Sequence, residues 1–171
     1  MGNEAGLGKT FEKGAQAIRQ LDPSRPVTYG GWGTVNGHSV LDYVDIYTPM
    51  YDSISELEDY IATNPKQPLI MAEYAHAMGN SLGNLHKYWQ TIYANRQLQG
   101  GFIWDWVDQT ILLETPEGQK YWGYGGDFND GNNDGNFLAN GLIQADRTPN
   151  PHLYEAKTVY QPIHYSLTDN R

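Results

Sequence analysis

The chain has 171 residues, 39% of them hydrophobic and 13% aromatic, with a formal net charge of −9; that is enough apolar material for one sizeable core, and it excludes a disordered tail. The acidity is not interrupted by any Lys/Arg cluster, which excludes nucleic acid and anionic membrane as partners and favours a neutral or cationic ligand. Cysteine is absent, so disulfides and thiolate metal sites are excluded, and with no apolar run near about 18 residues and no signal-peptide pattern at the start the default compartment is the cytoplasm.

Leu7, Phe11, Ala15, Ile18 and Leu21 fall at steps of three and four and predict a helix over residues 6–21, ended by Asp22-Pro23 and Arg25-Pro26. Val27-Thr28-Tyr29 and the run from Tyr43 to Tyr47 are rich in β-branched and aromatic residues and read as short strands. Ser55 with Glu58 three residues later has capping-box spacing and predicts a second helix with Leu57, Tyr60 and Ile61 on its apolar face. Leu69 to Ala72 is a continuous apolar run of strand length, as a parallel strand covered on both faces requires. Ser81 can cap a third helix carrying Leu85, Tyr88, Trp89 and Ile92, and Phe102-Ile103-Trp104 reads as the next buried strand. Alternating strands and helices predict right-handed βα units and a parallel sheet over about residues 1–113. From about residue 114 to 171, Gly, Asn, Asp and Pro predict long loops with short strands, within one domain spanning 1–171.

A parallel strand ending at Ala72 places Glu73, Tyr74 and His76 at its C-terminal end, where α/β barrels hold their working groups. An isolated Glu there is more often a helix cap or an ion-pair partner, and an isolated His more often structural. The setting shifts that balance: Asn3-Glu4, Tyr51, Glu73, His76 and Trp104 would all lie on one rim of the sheet. Two carboxylates with an aromatic floor are what glycoside cleavage needs, one to protonate the departing oxygen and one to meet the developing positive charge. A separation of about 5–5.5 Å between the carboxyls gives retention, and a wider one inversion.

The runs Pro68 to Ser81 (PLIMAEYAHAMGNS) and Leu98 to Gln109 (LQGGFIWDWVDQ), with Gly2-Asn3-Glu4, Asp22 to Pro26, Thr48 to Tyr51, Tyr124 to Asp127 and Asn140 to Pro149, resemble the signature segments of glycoside hydrolase family 2 β-galactosidases. The resemblance runs from residue 2 to about residue 165. It implies a partial (β/α)8 TIM barrel, from about strand four or five to strand eight, followed by a loop-rich segment. It further implies that Glu4 is the general acid/base and Glu73 the nucleophile of a retaining reaction on terminal β-galactose, lactose included. Tyr51 would support the nucleophile, Asn3 would hold the sugar 2-hydroxyl, His76 would bind galactose hydroxyls and Trp104 would form the platform under the ring. The resemblance also implies Mg²⁺ at Glu4, and Na⁺ at the Phe137 carbonyl and the Asn140 side chain, which would also contact the sugar; each metal site would be partial here.

A closed barrel takes about 250 residues, so half of one is expected, with an unpaired sheet edge that calls for a complementary segment or subunit and an oligomeric setting. The isolated chain is expected to have very low activity. A second reading is a non-catalytic carbohydrate-binding or complementing module, and a third is a related glycosidase acting on β-glucuronides or β-mannosides. The Asp130 to Gly135 run opens like a calcium loop, but Gly141 stands where a bidentate Glu is required, so a polar turn is expected.

Overall fold

The computed structural model describes residues 1–30 and 41–167. The chain divides into two compact units, residues 1–76 with 87–104, and residues 77–86 with 105–171.

In the first unit, helix α1 (Lys9–Leu21) buries Ala15 and leaves Leu21 exposed, so the apolar stripe read from the sequence is in contact only through its middle. Phe11 packs on Tyr29 with ring centroids 4.5 Å apart, and Arg19 reaches the Tyr43 carbonyl and the Asp45 carboxylate, 2.9 and 2.7 Å away. Helix α2 (Ile54–Ala62) starts two residues earlier than predicted, with Ser53 and not Ser55 as its cap. Ser-x-x-Glu spacing occurs twice in this stretch; Ser53 wins because it has extended geometry (φ −68°, ψ 162°) and exchanges hydrogen bonds with Glu56 in both directions. Leu57 and Tyr60 are fully buried on the predicted face.

Five segments of this unit lie side by side in chain order and run parallel. Asn3 pairs with Gly30, Thr28 with Ile46, Tyr47 with Leu69 and Met50 with Glu73; strand β1 (Leu69–His76) then pairs with β2 (Leu98–Trp104). Val27-Tyr29 and Tyr43-Tyr47 are thus single parallel bridges in place of full strands. Among the described residues no pairing joins the first segment to β2, so the succession is open. Parallel neighbours in sequence order, with helices in the described connections between them, are the βα staves of a barrel.

Helix α3 (Leu85–Ala94) begins four residues after Ser81. Ser81 is not its cap: its hydroxyl closes a turn on the Met78 carbonyl at 2.7 Å. The Leu85 N–H is taken instead by the Glu155 carboxylate, 70 positions along the chain, at 2.9 Å, a partner that no local spacing reveals. In the second unit, β3 (Ile111–Glu114) and β4 (Lys120–Gly123) form an antiparallel hairpin. Residues 105–108 run beside 140–143, with the Asp105 and Asp108 N–H groups donating to the Asn140 and Ile143 carbonyls. Helix α4 (His152–Val159) falls where only loops and short strands are predicted. The Asp130 to Gly135 run is a polar turn, in which the Asp130 carboxylate accepts the Gly126 and Phe128 N–H groups and Asn133 accepts that of Gly135.

Candidate active site

The parallel register brings the chemistry-bearing residues of the first unit to one set of strand ends. Asn3 and Glu4 close the first segment, and the Glu4 N–H donates to the Gly30 carbonyl at 2.9 Å. Tyr51 closes the third segment, and its N–H donates to the Glu73 carbonyl at 2.6 Å. Glu73 and His76 lie in the last half of β1, and Trp104 ends β2 as the register partner of His76. All six residues singled out on this rim therefore sit at C-terminal ends of parallel segments.

Within the rim, the Tyr51 hydroxyl donates to the Glu73 carboxylate at 2.6 Å, the short distance of a charge-assisted bond. The Tyr51 and His76 rings are tilted at a centroid separation of 6.2 Å. Tyr51 is held well above the ordinary phenol value: burial is the largest cause, the hydrogen bond to the Glu73 carboxylate and its charge come next, and the charge of Glu4 adds to them. One phenol thus feels both carboxylates. Glu4 is exposed and Glu73 half-buried, so each is open to a ligand, and Trp104 shows 38% of its surface. Two acids, one fixed by a phenol, beside an exposed indole can carry out proton transfer and nucleophilic attack on a polar, ring-shaped substrate.

Tyr51 and Glu4 share a further property. Both have left-handed backbones, with φ 57° and 51°, a conformation that non-glycine residues adopt at a cost of about 1–2 kcal/mol. Met50, whose backbone pairs with Glu73, and Gly30, which pairs with Asn3, were not among the residues singled out. Their contribution is a backbone one, and side-chain chemistry gives no sign of it.

Phe137 and Asn140 lie in the second unit. Asn140 is 2% exposed; its amide donates to the Phe137 carbonyl at 2.9 Å, and its Oδ1 is buried without a hydrogen-bond partner. That orphaned oxygen is the feature a cation would satisfy, and turning the amide over would set two neutral oxygens about one hydrogen-bond length apart, a set suited to a hard monovalent ion. Glu4 presents no comparable set: among the described residues no group of three His, Asp or Glu could hold a metal. The second unit also holds a cavity of about 450 Å³ lined by Asn80, Asp108, Asn150, His152 and Glu155 among others, none of which was singled out as a site residue. Their polar atoms are anchored locally, as when Asn150 and His152 both reach the Gly141 carbonyl. No helix among the described residues is long and apolar enough to cross a membrane.

The family model for the TIM barrel domain of glycosyl hydrolases family 2 matches residues 1–165. A beta-galactosidase of Vibrio cholerae is 47% identical over 181 aligned positions, covering 98% of this chain and 17% of that protein. One from Priestia megaterium is 44% identical over 169 positions, covering 99% of this chain and 16% of its own length. The chain therefore spans about a sixth of these curated relatives. Among solved structures, a Ruminococcus gnavus beta-glucuronidase superposes with a TM-score of 0.57 at 16% identity, covering 91% of this chain and 29% of the other. A beta-galacturonidase from Eisenbergiella tayi does so with 0.53 at 14%, covering 93% and 31%. At such identities these two structures speak for the fold alone.

Proposed function

Since the chain belongs to family 2 of the glycosyl hydrolases through that family's TIM barrel domain, we propose that it carries both working carboxylates of a β-galactosidase and serves the cleavage of terminal β-galactosides, lactose among them, with retention of configuration. The observation that carries this reading is the Tyr51 phenol, bonded to Glu73 at 2.6 Å and subject to the charge of Glu4 as well. The beta-galactosidases at 43–47% identity support the choice of sugar.

In the first step Glu4 donates its proton to the departing glycosidic oxygen while a Glu73 carboxylate oxygen attacks the anomeric carbon, so the C–O bond to the leaving group breaks as a glycosyl ester forms. Glu4, now the base, takes a proton from water, whose oxygen displaces Glu73 and restores both groups. Tyr51 keeps the Glu73 carboxylate in one orientation before attack. Asn3 binds the 2-hydroxyl, His76 binds further hydroxyls, and the exposed Trp104 ring receives the apolar face of the sugar. Phe137 and Asn140 would hold Na⁺, and the ion would supply a fixed positive charge there. Glu4 by itself does not make a Mg²⁺ site, and no step here depends on that ion.

The remaining barrel staves come from a complementary segment or subunit in an oligomer, and the cysteine-free composition suits a cytoplasmic setting. To test this, the chain replaces the matching segment of the Vibrio cholerae relative. The chimera should hydrolyse nitrophenyl β-galactoside in preference to the β-glucuronide and β-mannoside, and Glu73→Gln or Glu4→Gln should lower kcat by about a thousandfold or more. A folded chimera that binds galactose without turnover would establish the non-catalytic reading instead.

A further inference from the structure

The two strands that hold Glu73 and Trp104 do not pair evenly. Met71 faces Gly101 and Ala75 faces Ile103, so four steps along β1 match two along β2. Ala72, Glu73 and Tyr74 lie in this β-bulge, which takes Glu73 out of the ladder with β2. On its other flank Glu73 keeps its pairing: Met50 is its bridge partner, and its carbonyl accepts the Tyr51 N–H at 2.6 Å. The burial pattern records the same event. Leu69 and Met71 are buried at alternate positions, and the next buried side chain is Tyr74, one position out of phase.

What holds the bulge is visible on the β2 side. A Cβ on Gly101 would meet the Tyr74 ring at 3.0 and 3.2 Å and the Met71 Cβ at 3.2 Å, so the ring lies across bare backbone. Tyr74 is pinned there by the Trp89 indole N–H, which donates to its hydroxyl at 3.1 Å, and by the edge of Tyr88 at 5.6 Å. Gly100 next to it has φ 139°, with Trp89 lying 3.5 Å from where its Cβ would be. The Gly100-Gly101 pair therefore reads as more than a strand boundary.

We propose that Gly101 is a positioning residue for Glu73: its missing side chain seats the Tyr74 ring across β2, and the seated ring keeps the bulge that hands the Glu73 carboxylate to the Tyr51 hydroxyl. The proposal deepens the glycosidase reading and rests on it for the purpose of that placement, but its test needs no turnover. The readout is the titration of Tyr51, followed by ¹³Cζ-tyrosine NMR in the 171-residue chain, beside thermal unfolding. Gly101→Ala should release the Glu73 bond and bring the Tyr51 titration down by about one pH unit. Tyr74→Phe keeps the ring and loses the Trp89 bond, so it should lower Tm and leave the Tyr51 titration in place. This control separates positioning from general loss of stability. Gly101→Ala lowering Tm with Tyr51 unmoved, or Tyr74→Phe moving Tyr51 equally, would overturn the proposal. If Gly101→Ala does not unfold cooperatively, Tyr74→Leu takes its place, since it removes the ring without adding an atom; Tyr51 must then titrate lower, and an unchanged titration overturns the proposal. A failure of the glycosidase reading looks different: the chimera would then lack turnover, or keep it in Glu73→Gln, whatever the Tyr51 titration does.

Discussion

Removing each carboxylate in turn should move the titration of one phenol. Tyr51 donates to Glu73 at 2.6 Å and is 42% exposed. A hydrogen bond to a charged group is worth about 1.5–3 kcal/mol; solvent screening at this exposure selects the lower end, which is about one pH unit. The sign follows from charge. A carboxylate disfavours the phenolate, so Glu73→Gln lowers the Tyr51 titration. The Glu4 charge is the smallest of the causes that raise it, so Glu4→Gln should lower it as well, by less than Glu73→Gln does. ¹³Cζ-tyrosine NMR resolves this among the 13 tyrosines, with the signal assigned by its loss in Tyr51→Phe. A Tyr51 that does not respond to Glu4→Gln would separate the two acids and remove the basis for a shared site; no response to Glu73→Gln would remove the site altogether.

Tyr60 is fully buried, donates to the Gln67 carbonyl at 2.8 Å, and is pushed up to about 12 by burial. Its contribution to stability is complete below pH 10 and is lost as pH rises toward 12, by about 2 kcal/mol; chemical denaturation from pH 9 to 12 should show this slope, and Tyr60→Phe should flatten it. Asp45 is held below the usual carboxylate value first by the Val27 N–H and then by Arg19. The stability it contributes is present above about pH 4 and lost as pH falls through its lowered folded value, so Asp45→Asn should lower Tm at neutral pH and reduce its acid dependence below pH 4. Ser53→Ala removes one half of the α2 capping box and should lower stability by about 1 kcal/mol in a urea titration, whereas Ser55→Ala should have a smaller effect.

Much of the first unit was legible because its signals are local. The run Leu69 to Ala72 has the unbroken apolarity of a strand covered on both faces, and β1 begins at Leu69. Leu85 and Ile92 mark the buried face of α3. The misplaced features depend on distant partners or on choices between equivalents. Ser53 and Ser55 each stand three residues before a Glu, and only the extended backbone at Ser53 decides between them. Ser81 lost its role to Glu155, which arrives from α4. That helix was itself hidden, because its eight residues follow Pro149-Asn150-Pro151, a loop signal, and because Pro151 has helical geometry at the N-cap. Of the site, the side chains were legible from their motifs; the bulge at Glu73 was not, since it is a property of two strands together.

The rim is built by backbone exceptions at the residues that carry the chemistry. Glu4 and Tyr51 end parallel segments in left-handed conformations, and each is fixed by an N–H donated across to the next segment, to Gly30 and to Glu73. Glu73 leaves the ladder on the β2 side while keeping it on the Met50 side. A regular strand would send alternate side chains to opposite faces, so neighbouring segments ending in register could not all present functional groups to one place. Left-handed ends and a bulge break that alternation where it would otherwise separate the phenol from the carboxylate. Each exception costs about 1–3 kcal/mol and persists only where surrounding bonds over-determine it, and here those bonds are the interstrand N–H donations themselves. Replacing Tyr51 with Gly would relieve the backbone cost and remove the phenol together, which is why conformational freedom alone does not make this rim.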